Sequence, residues 1–252
     1  MDITQIRNAT LVLNYGKKKF LVDPFLAKKE TYRPFPHTPH QDKLNPTVDL
    51  PISVEEIIQV DAVIVTHLHV DHFDASAIET LPKSIKIFAQ SKKDVNKIKK
   101  EGFVNVEALT NLSHFGDIHL HKTNGKHGRG VIGKLMGKVS GVILKHSNEK
   151  TLYIAGDTIW CDDVQNAIHD HNPEVIVVNG GAAQFLQGKP ITMTKEDIFQ
   201  TYIASQNSTI IVSHMEAVNH CLLTRKELKN FISEKGGSNN ILVPDDGESL
   251  SF

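Results

Sequence analysis

The sequence predicts an α/β fold, and three observations carry that expectation. From about residue 53 onward, strand-like and helix-like segments alternate. Four apolar runs end in polar residues: AVIVT at His67, LYIAG at Asp157, VIVV at Asn179 and TIIVS at His214. In open α/β sheets, ligands bind at the carboxyl ends of the strands, so such endings mark a site as well as a fold. Finally, 252 residues with 40% apolar and 23% charged side chains can bury a sizeable core.

Taken in order, the chain opens on a β-hairpin. Apolar runs at 9–13 and 20–22 flank Tyr15, Gly16 and Lys17, with Gly16 supplying the turn. Residues 27–52 hold five of the ten prolines, which disfavours regular structure there. A proline-rich, lid-like insertion is expected instead. SVEEIIQV reads as a helix with Ser53 at the N-cap and Glu56 completing a capping box. DAVIVT is a buried strand, DASAIETLP a short helix ended by Pro82, and KIFAQ a strand. SKKDVNKIKKEG is a surface helix closed by Gly102, and HFGDIHLHKTNG a strand and turn. GVILKHSNEKTLYIAGDT is a hairpin turning at Asn148. Helix DDVQNAIHDHNP, strand EVIVVNGG, helix KEDIFQTYIAS, strand STIIVSH and helix TRKELKNFISEKGG complete the pattern. With no fixed-period repeat and no linker composition, 1–252 is read as one domain.

Composition excludes several function classes. A formal net charge of -1 makes no electrostatic case for nucleic acid or an anionic membrane surface. No apolar stretch approaches membrane-spanning length, so stable membrane insertion is not expected. The opening MDITQIRNAT lacks the basic-then-apolar layout of a signal peptide, and Cys161 and Cys221 cannot build a disulfide framework. The expectation is a cytoplasmic protein with two free thiols, acting on a small molecule. Nothing in the pattern specifies an oligomer.

Histidine is over-represented, with 14 in the chain. In VIVTHLHVDHFD, His67, His69, Asp71 and His72 fall directly after an apolar run. Two apart in an extended segment, His67 and His69 face the same way. Asp71 and His72 follow where the chain must turn into a helix, so the two pairs can address two points in space. Imidazole and carboxylate without thiolate suit zinc, manganese or iron and argue against a closed structural zinc site. Four ligands cannot fill two metal shells, and Asp157 and His214 stand ready at other strand ends. A third histidine beside His67 and His69 is required. His127, among the glycines of NGKHGRG, competes with His114 and His121 for that place. His119 with His121, and His169 with His171, share the two-residue spacing but lack an acid and a strand-end position.

The H-x-H-x-D-H pattern resembles the signature of the metallo-β-lactamase superfamily. That resemblance implies a four-layer αββα sandwich. It places Asp23 at the first motif, supporting the metal loop, and His127 at the third. Asp157 falls at the fourth, the carboxylate bridging two metals, and His214 at the fifth. By the same resemblance, His67, His69 and His127 would hold one ion, and Asp71, His72 and His214 the other. Within the superfamily, IRNATLVLNYGKKKFLVDPFL and NPTVDLPISVEEI look like the UlaG-like branch, bacterial hydrolases named for an ascorbate-6-phosphate lactonase. The flavodiiron branch normally carries a glutamate where His69 stands, which argues against oxygen chemistry.

The ligand set points to hydrolysis with two divalent ions as cofactors, zinc first and manganese second. Two ions about 3.5–4 Å apart can share a water and lower its pKa toward 7, giving a metal-bound hydroxide. Its target would be a small, anionic ester, lactone or phosphodiester. The catalytic candidates are Asp71 and His220; Glu216 and His220 would share a face if HMEAVNHC were helical. Arg33, His37, His40, Trp160, Gln184 and Lys189 are candidates for contact with substrate. Alternatives are a phospholipase-like hydrolase at a membrane surface, entered through the apolar, glycine-rich 130–144, and a non-enzymatic metal-binding protein on the same fold.

Overall fold

A computed structural model gives the structure and describes residues 1–236 and 239–252. Two seven-stranded sheets face each other. The first joins Asp2–Arg7 (β1), Thr10–Tyr15 (β2), Lys18–Val22 (β3), Ala62–Val65 (β4), Lys86–Ala89 (β5) and Val106–Ala108 (β6). Ser249–Ser251 (β14) pairs with β1 at its edge. The second joins Ser113–Phe115 (β7), Ile118–Lys126 (β8), Lys138–Lys145 (β9), Leu152–Ile154 (β10), Val175–Asn179 (β11), Thr209–Ser213 (β12) and Ile241–Leu242 (β13).

The four-layer αββα sandwich follows from period-two burial. On β2, Leu11 and Leu13 face the second sheet while Val12 faces outward. Ile64 on β4 and Val142 and Leu144 on β9 join the inter-sheet core; Val63, Val65 and Ile143 point away from it. Outward-facing apolar side chains need covers. Val54–Ile57 (α1), Ala75–Thr80 (α2) and Lys92–Lys100 (α3) cover the first sheet. Asp162–His171 (α5), Lys195–Ala204 (α6) and Arg225–Lys235 (α7) cover the second. Strands β3 to β6 run parallel, as do β10 to β13, and the central ones, β4, β10 and β11, are buried along their whole length.

Local signals explain most element ends. Gly16 and Lys17 have φ of 56° and 61°, the left-handed pair that a two-residue hairpin turn requires. Ser53 and Glu56 form the expected capping box, but α1 spans only four residues. Thr224 and Glu227 cap α7, which ends at Lys235. The expected helix ran on to Gly237, which lies outside the described residues. Strands β1, β6, β13 and β14 and one helix were not expected. Strand β1 hides its buried Gln5 and Arg7 among polar letters. In the glycine-rich stretch, Gly130–Met136 forms a helix (α4) that buries none of its residues. Among the described residues, no helix is long and apolar enough to cross a membrane.

Residues 27–52 carry no helix and only an isolated Tyr32–Asn45 bridge. Two buried polar residues fasten them. Arg7, fully buried, donates to the carbonyls of Val48 (3.0 Å), Phe25 (2.6 Å) and Ala27 (2.8 Å). Asn219 accepts from Phe35 N–H and donates to Thr38 Oγ1 and the Pro39 carbonyl. The segment is thereby held beside 214–220.

Replacing Arg7 tests this fastening. Arg7→Met leaves three carbonyls without their charged donor, at about 1–3 kcal/mol each. Urea unfolding should show a loss of at least ~3 kcal/mol, and limited proteolysis should cut within 27–52 sooner than in the wild type. A loss below ~1 kcal/mol with unchanged proteolysis would show that the segment is held by other contacts.

Candidate metal centre

The site gathers where parallel strands of both sheets end. His67 and the turn to Phe73 follow β4, Asp157 follows β10, and His214 follows β12. His127 follows β8. The 69–73 turn closes with His72 and Phe73 N–H donating to the His69 carbonyl. Three supporting positions, Asn8, Asp23 and His214, are non-glycine residues with φ of 53°, 44° and 59°. Such backbone is uncommon and persists only when surrounding contacts fix it.

The seven residues proposed from sequence as ligands come together. His67 Nε2 and His69 Nδ1 are 2.8 Å apart. Asp157 Oδ2 lies 3.9 Å from His67 Nε2, 3.5 Å from His127 Nε2 and 3.2 Å from His72 Nε2. Its other oxygen, Oδ1, lies 3.6 Å from His214 Nε2, which sits 3.3 Å from Asp71 Oδ2. Three sets could each hold a cation, with donor atoms within 4.8 Å of one another: His67, His69 and His127; His67, His72 and Asp157; and Asp71, His72 and His214. His69 alone among the seven is only half-buried, so the centre opens on its side.

The outer ring nitrogens are tied down. His72 Nδ1 is 2.9 Å from Asp23, which also accepts from the N–H and hydroxyl of Thr66. His127 Nδ1 donates to the Ile191 carbonyl, and His214 Nδ1 faces Cys221 Sγ at 3.4 Å. Asn179 donates to Asp157 Oδ1 at 2.7 Å, and Asn8 to Asp71 Oδ2 at 3.3 Å. The inner nitrogens behave differently. His72 Nε2 and His214 Nε2 are buried with no aligned hydrogen-bond partner, despite carboxylate oxygens close by. Outer nitrogens anchored and inner nitrogens converging unpaired is the arrangement of metal-binding histidines, so the residues fit a divalent ion.

Electrostatics divides the imidazoles. Burial lowers His67 well below the usual histidine range, and the neighbouring His72 adds to this. Burial also lowers His69 and His127. Burial opposes protonation of His72 too, but Asp157, Asp23 and Asp71 outweigh it and raise that ring to about 10. His214 rises for the same reason, beside Asp157. Burial would raise Asp71 and Asp157, yet the imidazoles around them hold both well below the usual carboxylate range.

Other expectations fare unevenly. His114 is exposed on β7, and His121 lies beside His171 with ring centroids 5.5 Å apart; neither approaches the centre. HMEAVNHC is not helical, so Glu216 and His220 do not share a helix face: 214–220 passes through bends into a turn, with Glu216 at φ 60°. Glu216 instead pairs with Arg225 at 2.6 Å. His220 is buried, edge-on to Phe35 at 4.7 Å, with Nδ1 unpartnered. Arg33, His37, His40 and Lys189 are exposed, and Trp160 packs against the α5–α7 core. Asn8 was missed, because a β-turn asparagine carries no signal of the distant loop it will reach.

Residues 18–215 match the family described as Beta-lactamase superfamily domain. The chain belongs to this superfamily and, within it, to the UPF0173 proteins. It is 55% identical over 254 residues to UPF0173 protein YddR of Bacillus subtilis (strain 168), with 100% of both chains covered. It is similar to the crystal structure of isothiocyanate hydrolase from Delia radicum gut bacteria, at 44% identity and TM-score 0.96, covering 100% of this chain and 99% of that one. It is also similar to a possible metal-dependent hydrolase from Veillonella parvula DSM 2008, at 38% identity and TM-score 0.97, with the same coverage. The protein is a metal-dependent hydrolase, and a purely metal-binding role is set aside.

The raised His72 gives a test with a definite sign. A ring that titrates at about 10 carries a proton at pH 8, and a cation must displace it to bind. Adding divalent ion to chelator-treated protein at pH 8 in weak buffer should release protons. Apparent affinity should rise with pH toward 10. Binding without proton release, at an affinity constant between pH 6 and 9, would contradict the geometry.

Proposed function

We propose that the protein is a dinuclear hydrolase that adds water to an electrophilic carbon of a small molecule. His67, His69 and His127 would hold one divalent ion, and Asp71, His72 and His214 the other. The observation that carries this reading is Asp157. One carboxylate oxygen faces His67, His72 and His127 while the other faces His214, as a bridge between two ions requires. Imidazole and carboxylate donors without thiolate suit zinc, with manganese second. The stretches IRNATLVLNYGKKKFLVDPFL and NPTVDLPISVEEI, rather than the ligand order, support the UlaG-like branch.

Bound divalent ions supply Lewis acidity, which acidifies a water and stabilises charge developing on the substrate. The chain's own groups do the rest. Asp71 is ionised at neutral pH, and its Oδ2 faces the same space as the His214 ring, so it orients the attacking water. His220, pushed down to about 4 by burial, is neutral at pH 7. A neutral ring is a poor proton source but a good hydrogen-bonding partner, so His220 would orient substrate rather than protonate it. Asn179 fixes the rotation of Asp157.

For substrate, similarity to an isothiocyanate hydrolase supports the heterocumulene R–N=C=S. Water adds to its central carbon to give a thiocarbamic acid, which breaks down to the amine and carbonyl sulfide. A second reading has its own observation. Lys93, Lys97, Lys122 and Lys138 line a cavity of about 450 Å³ that also carries His67 and His69. That favours an anionic ester, lactone or phosphodiester.

A turnover panel separates these. Isothiocyanates should yield amine and carbonyl sulfide, and His67→Ala or Asp157→Ala should cut the rate at least about a hundredfold. Turnover of lactones or phosphodiesters alone would move the assignment to the anionic class. Unchanged turnover in both variants would remove the proposed centre from the reaction.

A further inference from the structure

Helix α4 is an oddity in the packing. It buries none of its residues, yet it carries Val131, Ile132 and Leu135. Leu135 is 79% exposed, and Leu186 across from it is 68% exposed. Between them lies a cavity of about 400 Å³ whose walls include Ile132, Leu135, Met136, Phe185 and Leu186. That volume is within the range of small-molecule pockets, about 300–1,000 Å³.

Both walls are anchored to the metal centre. On the α4 side, Met136 lines both this cavity and the one that carries His67 and His69. On the other side, the Ile191 carbonyl accepts from His127, and Gln184 N–H donates to the His220 carbonyl. Leu186 N–H donates to the His37 carbonyl, tying in the proline-rich segment. The walls meet at a seam: a Cβ on Gly188 would fall 2.2 Å from Ile132 Cδ1. An apolar cleft fixed to the ligand loops has a use for its exposed leucines that core packing does not supply.

We propose that this cleft binds the apolar organic group of a neutral, isothiocyanate-type substrate, with Leu135 and Leu186 as specificity-determining residues. The proposal rests on the hydrolase reading above. The organic group would lie between α4 and 185–187, and the reacting carbon beyond Met136 at the centre.

The test compares 2-phenylethyl with methyl isothiocyanate on the metal-loaded wild type, Leu135→Glu and Leu186→Glu. Both sites are exposed, so the variants should fold. For the phenylethyl substrate, KM should rise about tenfold or more with kcat held, while kcat/KM for the methyl substrate stays within about twofold. Equal effects on the two substrates, or no effect on either, would overturn the proposal. If neither substrate turns over, the isothiocyanate reading fails, and the cleft is judged by binding alone. Saturation-transfer NMR should then show contact with 2-phenylethanol that Leu135→Glu abolishes; no contact in the wild type overturns it. Co-sedimentation with phosphatidylcholine vesicles that Leu135→Glu abolishes would also overturn it, in favour of a membrane-docking face.

Discussion

The buried carboxylate of Asp23 is the contact on which the rest of the site depends. It ends β3 with φ in the left-handed region and accepts three hydrogen bonds, from the N–H and hydroxyl of Thr66 and from His72 Nδ1. The first two bonds lock the end of β3 to the end of β4. The third sets which nitrogen of His72 faces outward, so that Nε2 points to the centre. Without that anchor the 67–73 turn would be free to rotate His67 and His69 away from His127, and the two sheets would lose their common focus.

The same arrangement explains why the centre calls for cations. Five imidazoles and two carboxylates are packed at strand ends where all but His69 are buried. Burying ionised or unpaired polar groups is costly unless they are paired or bound to metal. The unpaired Nε2 atoms of His72 and His214 are the clearest sign of this cost. A structural network would have turned those atoms toward partners. Here the partners of His72, His127 and His214 are on the outer side, at Asp23, Ile191 and Cys221, while Asn179 and Asn8 hold the two carboxylates. The fold therefore holds the ligands from behind and leaves the inner face open toward His69, which lines the lysine-bearing cavity.

Much of this was legible in the sequence, for definite reasons. The parallel strands are near-continuous apolar runs, so their ends are visible, and the residues just beyond β4, β10 and β12 include ligand types. His127 could be placed among alternatives because glycines flank it. What stayed hidden depends on contacts between distant segments. Buried Arg7 and Asn8 sit in a strand and turn whose polar letters suggest a surface. The glycines around α4 suggested a loop or a strand, whereas Gly133 and Gly188 serve instead to let α4 lie close to 128 and 188. Glu216 and His220 have helical spacing, but the left-handed backbone at 214 and 216 breaks any helix, and Arg225 takes the glutamate. Spacing predicts a face only where the backbone is regular.

The central claim is that one carboxylate, Asp157, joins two ions in a single centre. Counting metal per chain in the purified, active protein by mass spectrometry tests it most directly. The account predicts about two divalent ions per wild-type chain, falling to one or fewer when His214 is replaced by alanine. One ion per chain at full activity, unchanged by that substitution, would contradict it.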